Sequence, residues 1–321
     1  MTNSLYGRKY SIQVVLDDGS ALEISNSEFE PEALRVVFDI KKTGYKAWWY
    51  GDVTIFNLKE ETQDAILARA ERVIMSAGYQ NGNYGQIFDG NVFQKLYDRE
   101  NVVDYRVTLH CLDSDQKINN NFVKFTVSNQ YTRQVDIIRK MAGSARTPIP
   151  IGGISNNLDQ TVLPRGKTVF GKPVDYFRSI SLHNGAQYWM DSGDLCISKL
   201  TDPSQGEALV ITPSTGLVGT PEQIDYGASF MCLLNPNLRI VRPPAGPMLV
   251  KLDMSLIRQE KKSIGQFVSL LDQDGVYKIA EVRHTGDTRG PEWYTRVISV
   301  GSLGKIPFML DTVSQNPNGP G

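Results

Sequence analysis

The fold is decided near the end of the chain, by the stretch Gly275-Val276-Tyr277-Lys278-Ile279-Ala280-Glu281-Val282-Arg283-His284-Thr285-Gly286-Asp287-Thr288 and by Glu292-Trp293-Tyr294-Thr295-Arg296-Val297. Both runs are rich in β-branched and aromatic residues, which favour strands, and a polar turn separates them. The pattern predicts a β-hairpin with half-buried strands. It contains no cluster of residues that could carry a reaction.

The length of 321 residues indicates a globular chain of two or three domains. The 34 Lys and Arg residues against 35 Asp and Glu give a formal charge of −1, which argues against a strongly basic nucleic-acid binder. Three distant cysteines, Cys111, Cys196 and Cys232, fit reduced thiols in a chain made in a cytoplasm. The longest apolar run, Phe230 to Leu234, is far below the roughly 20 residues that span a bilayer. We therefore expect no membrane insertion.

The periodicity along the chain predicts an α+β fold that is mostly β, with two β domains flanking a small α/β insert. We place the first β domain at residues 1–114, the insert at 115–204, the second β domain at 205–302 and an extended tail at 303–321. In the first domain, Asn57 is expected to cap a helix over 59–70. In the insert, helices start near Thr132 and Pro173, with a long loop over 143–168 between them.

The two β domains share a faint internal repeat. Val92 precedes Arg106 by 14 positions, and Val282 precedes Arg296 by the same 14 positions. Each pair encloses a polar turn between two strands, so both are candidates for the same hairpin. Duplication of one unit and two unrelated β domains both stay open on this spacing.

The order of several motifs extends over both β domains. The first has Val53-Thr54-Ile55-Phe56-Asn57-Leu58, then Ala77-Gly78-Tyr79 and Ile87-Phe88-Asp89-Gly90-Asn91-Val92; the second has Phe230-Met231-Cys232-Leu233-Leu234-Asn235-Pro236 and the hairpin quoted above. Over residues 10–302 this order resembles the baseplate hub proteins of contractile-tailed bacteriophages. The resemblance implies two tail-tube-like β-barrel domains flanking the α/β insert.

The resemblance also implies a structural role in the virion tail baseplate, after synthesis in the host cytoplasm. A hub of this kind is a homotrimer that joins the tail tube protein to the central spike protein and seats the C-terminus of the tape-measure protein. It contacts baseplate wedge or sheath-adjacent proteins, and phage DNA crosses its channel only in transit. A three-fold ring requires head-to-tail contacts that close on themselves.

Adjacent aromatic residues are candidates for the subunit or partner interface. Trp48, Trp49 and Tyr50 follow one another on a predicted strand, where neighbours point to opposite faces. One face therefore exposes large aromatic rings unless another surface covers them. Trp293 and Tyr294 repeat the situation in the second β domain. The alternative is a strand end covered by a loop of the same chain.

A basic cluster, Lys41, Lys42 and Lys46, is a candidate contact with DNA in the channel or with an acidic partner. A solvated surface is the alternative for these lysines. A channel that conducts DNA should avoid tight phosphate contacts, because each neutralised phosphate adds salt-dependent affinity that opposes sliding. The near-neutral chain agrees with such a channel.

The sequence predicts no catalytic, cofactor or metal site. His110, His183 and His284 lie in unrelated elements without the spacing of zinc ligands. His110 and Cys111 are adjacent on a strand, so their side chains diverge and do not form a catalytic pair. The alternative function is a β-rich glycan- or peptidoglycan-binding module that uses Trp48, Trp49 or Trp189. Within the hub class, a non-contractile tail or a phage-like secretion device also stays open.

Overall fold

A computed structural model describes residues 7–26, 33–44, 49–114, 121–128, 132–199, 201–204, 206–224, 227–259 and 274–301. The first part of the chain contains β1 (Arg8–Leu16), β2 (Ala21–Ser25), β3 (Val36–Thr43), β4 (Tyr50–Phe56), α1 (Glu60–Arg69), β5 (Ala70–Tyr79), β6 (Tyr84–Arg99) and β7 (Tyr105–Leu112). The middle part contains β8 (Val123–Val127), α2 (Gln134–Ser144), β9 (Ile151–Ile154), β10 (Lys167–Gly171), α3 (Pro173–His183), β11 (Gln187–Asp191) and β12 (Asp194–Ser198).

The last part contains β13 (Leu209–Ile211), β14 (Leu217–Ile224), β15 (Gly227–Leu233), β16 (Leu249–Leu252), β17 (Val276–Asp287) and β18 (Trp293–Gly301). Short 3₁₀ turns occur at Pro213–Thr215 and Met254–Leu256. The predicted α+β, mostly β class is confirmed. Among the helices of the described residues, none is long and apolar enough to cross a membrane.

One 13-stranded sheet runs through both ends of the chain, in the order β14-β15-β18-β17-β3-β4-β7-β6-β5-β1-β2, with β16 on β17 and β13 on β16. The junction is the antiparallel pair β3–β17, in register from Thr43 opposite Glu281 to Val37 opposite Asp287. Two small sheets, β8–β10 and β11–β12–β9, belong to the middle part. The first and last parts of the chain therefore share one hydrogen-bonded sheet.

The buried apolar side chains form three clusters. The first lies under β1 to β7 and includes Ile66 of α1 and Trp293 of β18. The second is made only of residues between Val123 and Ile197. The third lies in the last part of the chain and also takes in Trp49 and Trp189. Trp293 of the last part of the chain is thus buried in the core of the first part, and Trp49 of the first part is buried in the core of the last. The exact domain boundaries stay a prediction.

Two local predictions were wrong. Asn57 does not cap α1, because it adopts a left-handed φ of 54° and its side chain bonds Asp104 and the backbone of Tyr105 instead. The predicted loop over 143–168 contains β9, which pairs in parallel with β12. The two hairpins β6–β7 and β17–β18 exist, but Val92 lies opposite Cys111 whereas Val282 lies opposite Val297. The 14-residue spacing therefore does not mark equivalent positions.

Candidate assembly surfaces

Eight strands of the large sheet, β6-β7-β4-β3-β17-β18-β15-β14, form an antiparallel wall with two distinct faces. Side chains alternate across it, since Phe38 and Ile40 of β3 are buried whereas Asp39 and Lys41 are half-buried. The register aligns Asp39 with Asp52 and Thr285, and Lys41 with Tyr50 and Arg283. We call the surface that carries Asp39 and Lys41 the outer face of the wall.

Ion pairs between neighbouring strands occupy this outer face. Lys41 Nζ lies 2.6 Å from Glu281 Oε1, and Arg283 Nε donates to Asp39 Oδ1 at 2.7 Å across the β3–β17 junction. The hydrogen bonds to Asp39 raise the pKa of Arg283. These contacts neutralise charge within the wall. Arg296, opposite Arg283 on β18, is exposed and has no carboxylate within 4 Å among the described residues.

A histidine and two threonines continue the polar face. The Nδ1 atom of His110 lies 2.7 Å from Asp52 Oδ1, and the hydroxyls of Thr54 and Thr108 are 3.0 Å apart. All four residues lie on β4 and β7 and are half-buried. The outer face is therefore polar and hydrogen-bonded across at least four strands, which makes it unlike a protein core.

The predicted aromatic residues divide between the two faces. Trp49 and Trp293 point inward, with 2% and 1% of their surface exposed. The indole N–H of Trp49 donates to the carbonyl of Thr43 at 2.9 Å, and that of Trp293 donates to the carbonyl of Gly78 at 3.2 Å. Both indoles are therefore buried by this chain itself.

Tyr50 and Tyr294 lie on the outer face of the wall and are half-buried. Among the described members of the predicted aromatic set, these two can be reached by a second molecule, and their interface role stays a prediction. Trp48 lies outside the described residues.

The described lysines of the basic cluster lie on opposite sides of β3. Lys41 is on the outer face in its pair with Glu281, whereas the ammonium of Lys42 lies 4.6 Å above the ring of Trp49, toward the core. Burial lowers the pKa of Lys42, although the nearby carboxylates of Asp191 and Asp113 oppose the shift. Lys46 lies outside the described residues. Of the two described lysines, Lys41 is the one on the outer face, and its contact with DNA or a partner stays a prediction.

The wall ends at two exposed strand edges that sequence reasoning missed. β5 pairs with β6 only as far as Asn91, so no strand in the described part of the chain covers the far side of residues 92–99. Exposed apolar side chains cluster on this segment and its turn: Phe93 52%, Leu96 43%, Tyr97 45%, Val102 88% and Val103 76%. Val102-Val103 in a hairpin turn was the signal that could have revealed this surface.

The opposite edge of the wall is β14. Backbone bonds of Gln223 and Arg258 cover one end of it, and the residues 217–220 at the other end carry no strand on their outer side in the described part of the chain. Gly219 and Thr220 are exposed there. An unpaired edge is a template for pairing with another chain.

A cleft of about 480 Å³ opens between β1 and the β17–β18 turn. The guanidinium of Arg8 crosses it and donates to the carbonyls of Asp287 at 2.6 Å and Gly290 at 2.5 Å. Its described lining includes no carboxylate, histidine or cysteine. Nowhere in the described ranges do three His, Cys, Asp or Glu side chains group closely enough to hold a metal ion.

Of the three tryptophans proposed for sugar binding, Trp49 and Trp189 are buried and Trp48 lies outside the described residues. Trp189, proposed as a sugar platform, is 3% exposed. His284 is buried with its Nδ1 2.9 Å from the hydroxyl of Thr295, and burial lowers its pKa to about 3. Burial raises the pKa of Cys196 and Cys232 to about 12. These groups therefore offer neither an exposed sugar-stacking ring nor an activated nucleophile.

Comparison with known proteins places the chain among phage tail components. The family profile described as baseplate hub gp41 matches residues 50–243, more than half of the chain. None of the curated proteins matches the sequence. The fold is similar to the 43 kDa tail protein of prophage MuSo2 from Shewanella oneidensis, with a TM-score of 0.54 and 10% identity over 92% of this chain and 99% of that one.

Two further structures share the fold. A tail protein from Neisseria meningitidis MC58 aligns with a TM-score of 0.53 and 9% identity, covering 92% of this chain and 97% of that one. The E. coli c3393 protein, a type VI secretion component described as similar to phage T4 tail proteins gp27 and gp5, aligns with a TM-score of 0.51 and 9% identity, covering 87% of this chain and 78% of that one. At such identities the likeness concerns the fold.

Proposed function

The chain belongs to the baseplate hub gp41 family, and we propose from this that it acts as a homotrimeric hub that joins the phage tail tube to the central spike. In this role it forms part of the DNA channel, seats the end of the tape-measure protein and contacts wedge or sheath-adjacent proteins. It acts through assembly and not through catalysis. The observation that carries the proposal is the single wall shared by both ends of the chain.

The outer face of the wall is suited to line a channel. Lys41 and Arg283 each hold a carboxylate of the same face, so their charge is compensated before DNA arrives. An uncompensated cation would bind phosphate and release counterions, which increases affinity for DNA and resists ejection. Lys41 and Arg283 therefore give DNA little to bind, and exposed Arg296 is the cation described on this face that phosphate can reach.

The two edges of the wall supply the contacts that close the ring. A cyclic trimer needs two different surfaces per copy that fit each other. The exposed side of residues 92–99 lies at one end of the wall and the exposed part of β14 lies at the other. Contact between them would cover exposed Phe93 and Leu96 and would continue the wall from one copy to the next. Such closure removes the exposed edges altogether.

A disulfide test examines this closure in assembled tails. Leu96→Cys and Thr220→Cys are introduced together, and purified tails are oxidised and separated on a denaturing gel without reductant. We expect bands of one, two and three linked copies and none larger. Cys111, Cys196 and Cys232 are buried, so they do not compete.

The single variants Leu96→Cys and Thr220→Cys are the matched controls, and each is expected to give monomer only. A ladder that continues beyond three copies would contradict a closed trimer. Absence of linked species in tails that contain the double variant would contradict contact between these edges. Absence of the wild-type chain from tails would contradict the hub role itself.

A further inference from the structure

The turn between β6 and β7 presents two valines to solvent. Val102 and Val103 are 88% and 76% exposed, more than any other large apolar side chain in the described part of the chain. Turns are normally built from Gly, Pro, Asn, Asp and Ser, whereas valine is apolar and β-branched. The needs of the turn therefore do not explain this adjacent pair. We call Val102 and Val103 the valine tip.

Hydrogen bonds from neighbouring residues hold the valine tip in one conformation. The Oδ1 atom of Asn101 accepts from the backbone N–H groups of Val103 and Asp104, both at 2.8 Å. The backbone N–H of Glu100 donates to the carbonyl of Asp104 at 3.0 Å and closes the turn. Asn57, which precedes α1, donates its side-chain N–H to Asp104 Oδ1 at 2.9 Å. A tip fixed in this way loses little conformational entropy when a partner binds it.

The stem of the hairpin is stiffened on both of its faces. Arg106 donates from Nε and Nη2 to the two carboxylate oxygens of Asp98, at 2.5 and 2.8 Å. On the other face the rings of Tyr97 and Tyr105 are parallel with centroids 6.1 Å apart, and the guanidinium of Arg99 lies 4.6 Å from the ring of Tyr105. β5 pairs only with the earlier part of β6, so these contacts take the place of a third strand.

The valine tip emerges at one end of the wall, not along its edge. The last paired residues of the hairpin are Arg99 and Tyr105, so the tip lies beyond the end of the strands. Arg35 joins this end to the β17–β18 turn, because its Nη1 lies 3.0 Å from Glu100 Oε2 and its Nη2 lies 2.9 Å from Asp287 Oδ2. Barrel walls meet side-by-side neighbours along their strands, whereas a molecule stacked on a barrel meets the turns at its rim. The tip therefore points toward a molecule that stacks on the hub.

A carboxylate beside the tip is held by neutral groups. Asp104 accepts from Asn57 and, at 2.7 Å, from Asn101 Nδ2. Among the described residues, no Lys, Arg or His nitrogen lies within 4 Å of this carboxylate. A carboxylate can accept about four hydrogen bonds, so Asp104 can also bind a donor from another molecule. The surface around the tip is thus suited to a partner with an apolar socket and a cation at its rim.

We propose that the valine tip inserts into an apolar socket of a different tail protein, which stacks on this end of the hub and places a Lys or Arg side chain on Asp104. The inference rests on the proposed hub function, because a ring of hub copies supplies the end on which that protein stacks. The lateral neighbour in the ring is assigned to the exposed side of residues 92–99. Nucleic acid is not suited to the tip, since valine side chains offer phosphate and sugar nothing to bind.

Site-specific photo-cross-linking in purified tails identifies what covers the tip. A small aliphatic diazirine amino acid is placed at position 102, the tails are irradiated, and linked peptides are identified by mass spectrometry. We expect links to apolar residues of a protein other than this chain. The purified chain without tail partners, irradiated at the same concentration, is the control and should give no link between proteins.

Substitutions at the tip test whether the contact holds the chain in the tail. Val102→Asp combined with Val103→Asp should lower the amount of this chain in purified tails by at least about ten-fold, because two buried valines are replaced by charges. Val102→Ile combined with Val103→Ile should leave that amount unchanged. The rim charge contributes less, so Asp104→Asn should lower it by about three-fold.

Two further measurements separate the contact from stability. Both valines are exposed, so the purified Asp pair should unfold at the same temperature as the wild type. Val210→Asp, which adds a charge at a 49% exposed valine of β13, is the matched substitution and should leave the chain in tails.

Three results would overturn the inference while the wild-type chain is present in tails. The first is that position 102 links only to another copy of this chain, which would assign the tip to the ring contact. The second is that position 102 gives no link in tails, which would show a tip that stays in solvent. The third is that the Asp pair and the Ile pair are retained equally. If the wild-type chain is absent from tails, the hub proposal fails instead.

Discussion

Replacement of Gly286 by Ala tests the packing that joins the two ends of the chain. Gly286 of β17 lies opposite both Phe38 of β3 and Trp293 of β18, whose rings meet edge to face at a centroid distance of 5.3 Å. A Cβ atom at position 286 would lie 2.4 Å from Phe38 Cζ and 2.7 Å from Trp293 Cε3. Both rings are buried, at 2% and 1% exposure, so neither can move into solvent.

Two opposing contributions decide whether Gly286→Ala raises or lowers the free energy of unfolding. Gly286 has no left-handed φ, so alanine fits its backbone and should stabilise a strand by about 0.5–1 kcal/mol. Overpacking of a filled core costs about 1–3 kcal/mol, and contacts this short fall at the upper end. We therefore expect Gly286→Ala to lower the free energy of unfolding by about 2 kcal/mol. Urea unfolding followed by tryptophan fluorescence measures it.

A control and a second substitution separate the clash from other causes. Gly143 lies in α2 with no atom within 4 Å of its ideal Cβ, so Gly143→Ala should stabilise by about 1 kcal/mol. In the background of Phe38→Leu, which frees space, Gly286→Ala should cost about 1 kcal/mol less than in the wild type. If Gly286→Ala is as stable as Gly143→Ala, or if its effect adds strictly to that of Phe38→Leu, then the added methyl group does not clash with the two rings.

Three further predictions concern buried polar groups. His284 has a folded-state pKa of about 3, against about 6.5 when unfolded, so the unfolded state binds the proton first as pH falls. Below pH ~6.5, the free energy of unfolding of the wild type should therefore fall, relative to that of His284→Gln, by up to about 1.4 kcal/mol per pH unit. Above that pH the difference between the two proteins should be constant. Urea unfolding at a series of pH values measures both. Asp113 accepts hydrogen bonds from the backbone N–H groups of Ser192 at 2.7 Å and Gly193 at 3.1 Å. Asp113→Ala should therefore lower the free energy of unfolding by about 2 kcal/mol, and Asp113→Asn should lower it less. Thermal unfolding measures both effects. The three cysteines are buried with raised pKa values, so a thiol reagent at pH 8 should label none in the native chain and all three in denaturant.

The local elements of the fold could be predicted because their signals are local. Alternating apolar residues and turn signals located β1, β2 and the β17–β18 hairpin. The β3–β17 junction joins positions such as Asp39 and Thr285, and no local pattern specifies such a distant register. β9 was missed because Gly152 and Gly153 indicate a loop. Gly153 is required instead by close approach, since a Cβ there would lie 2.1 Å from the carbonyl oxygen of Pro243.

The candidate surfaces could be predicted only in part. Strand alternation correctly implied that Trp49 and Tyr50 point to opposite faces, and Tyr50 lies on the outer face. The sequence does not say which face meets a core, so the burial of Trp49 against the last part of the chain could not be foreseen. The exposed edge at residues 92–99 depends on where β5 stops pairing, which is a property of the whole sheet.

We propose that this chain forms a trimeric hub between tail tube and spike. Isotope-dilution mass spectrometry of purified tails, with peptides of this chain, the tube protein and the spike protein, tests this stoichiometry. We expect a copy number equal to that of the trimeric spike and half that of one six-fold tube ring. Absence of the chain from intact tails, with abundance in the infected-cell lysate, would contradict it.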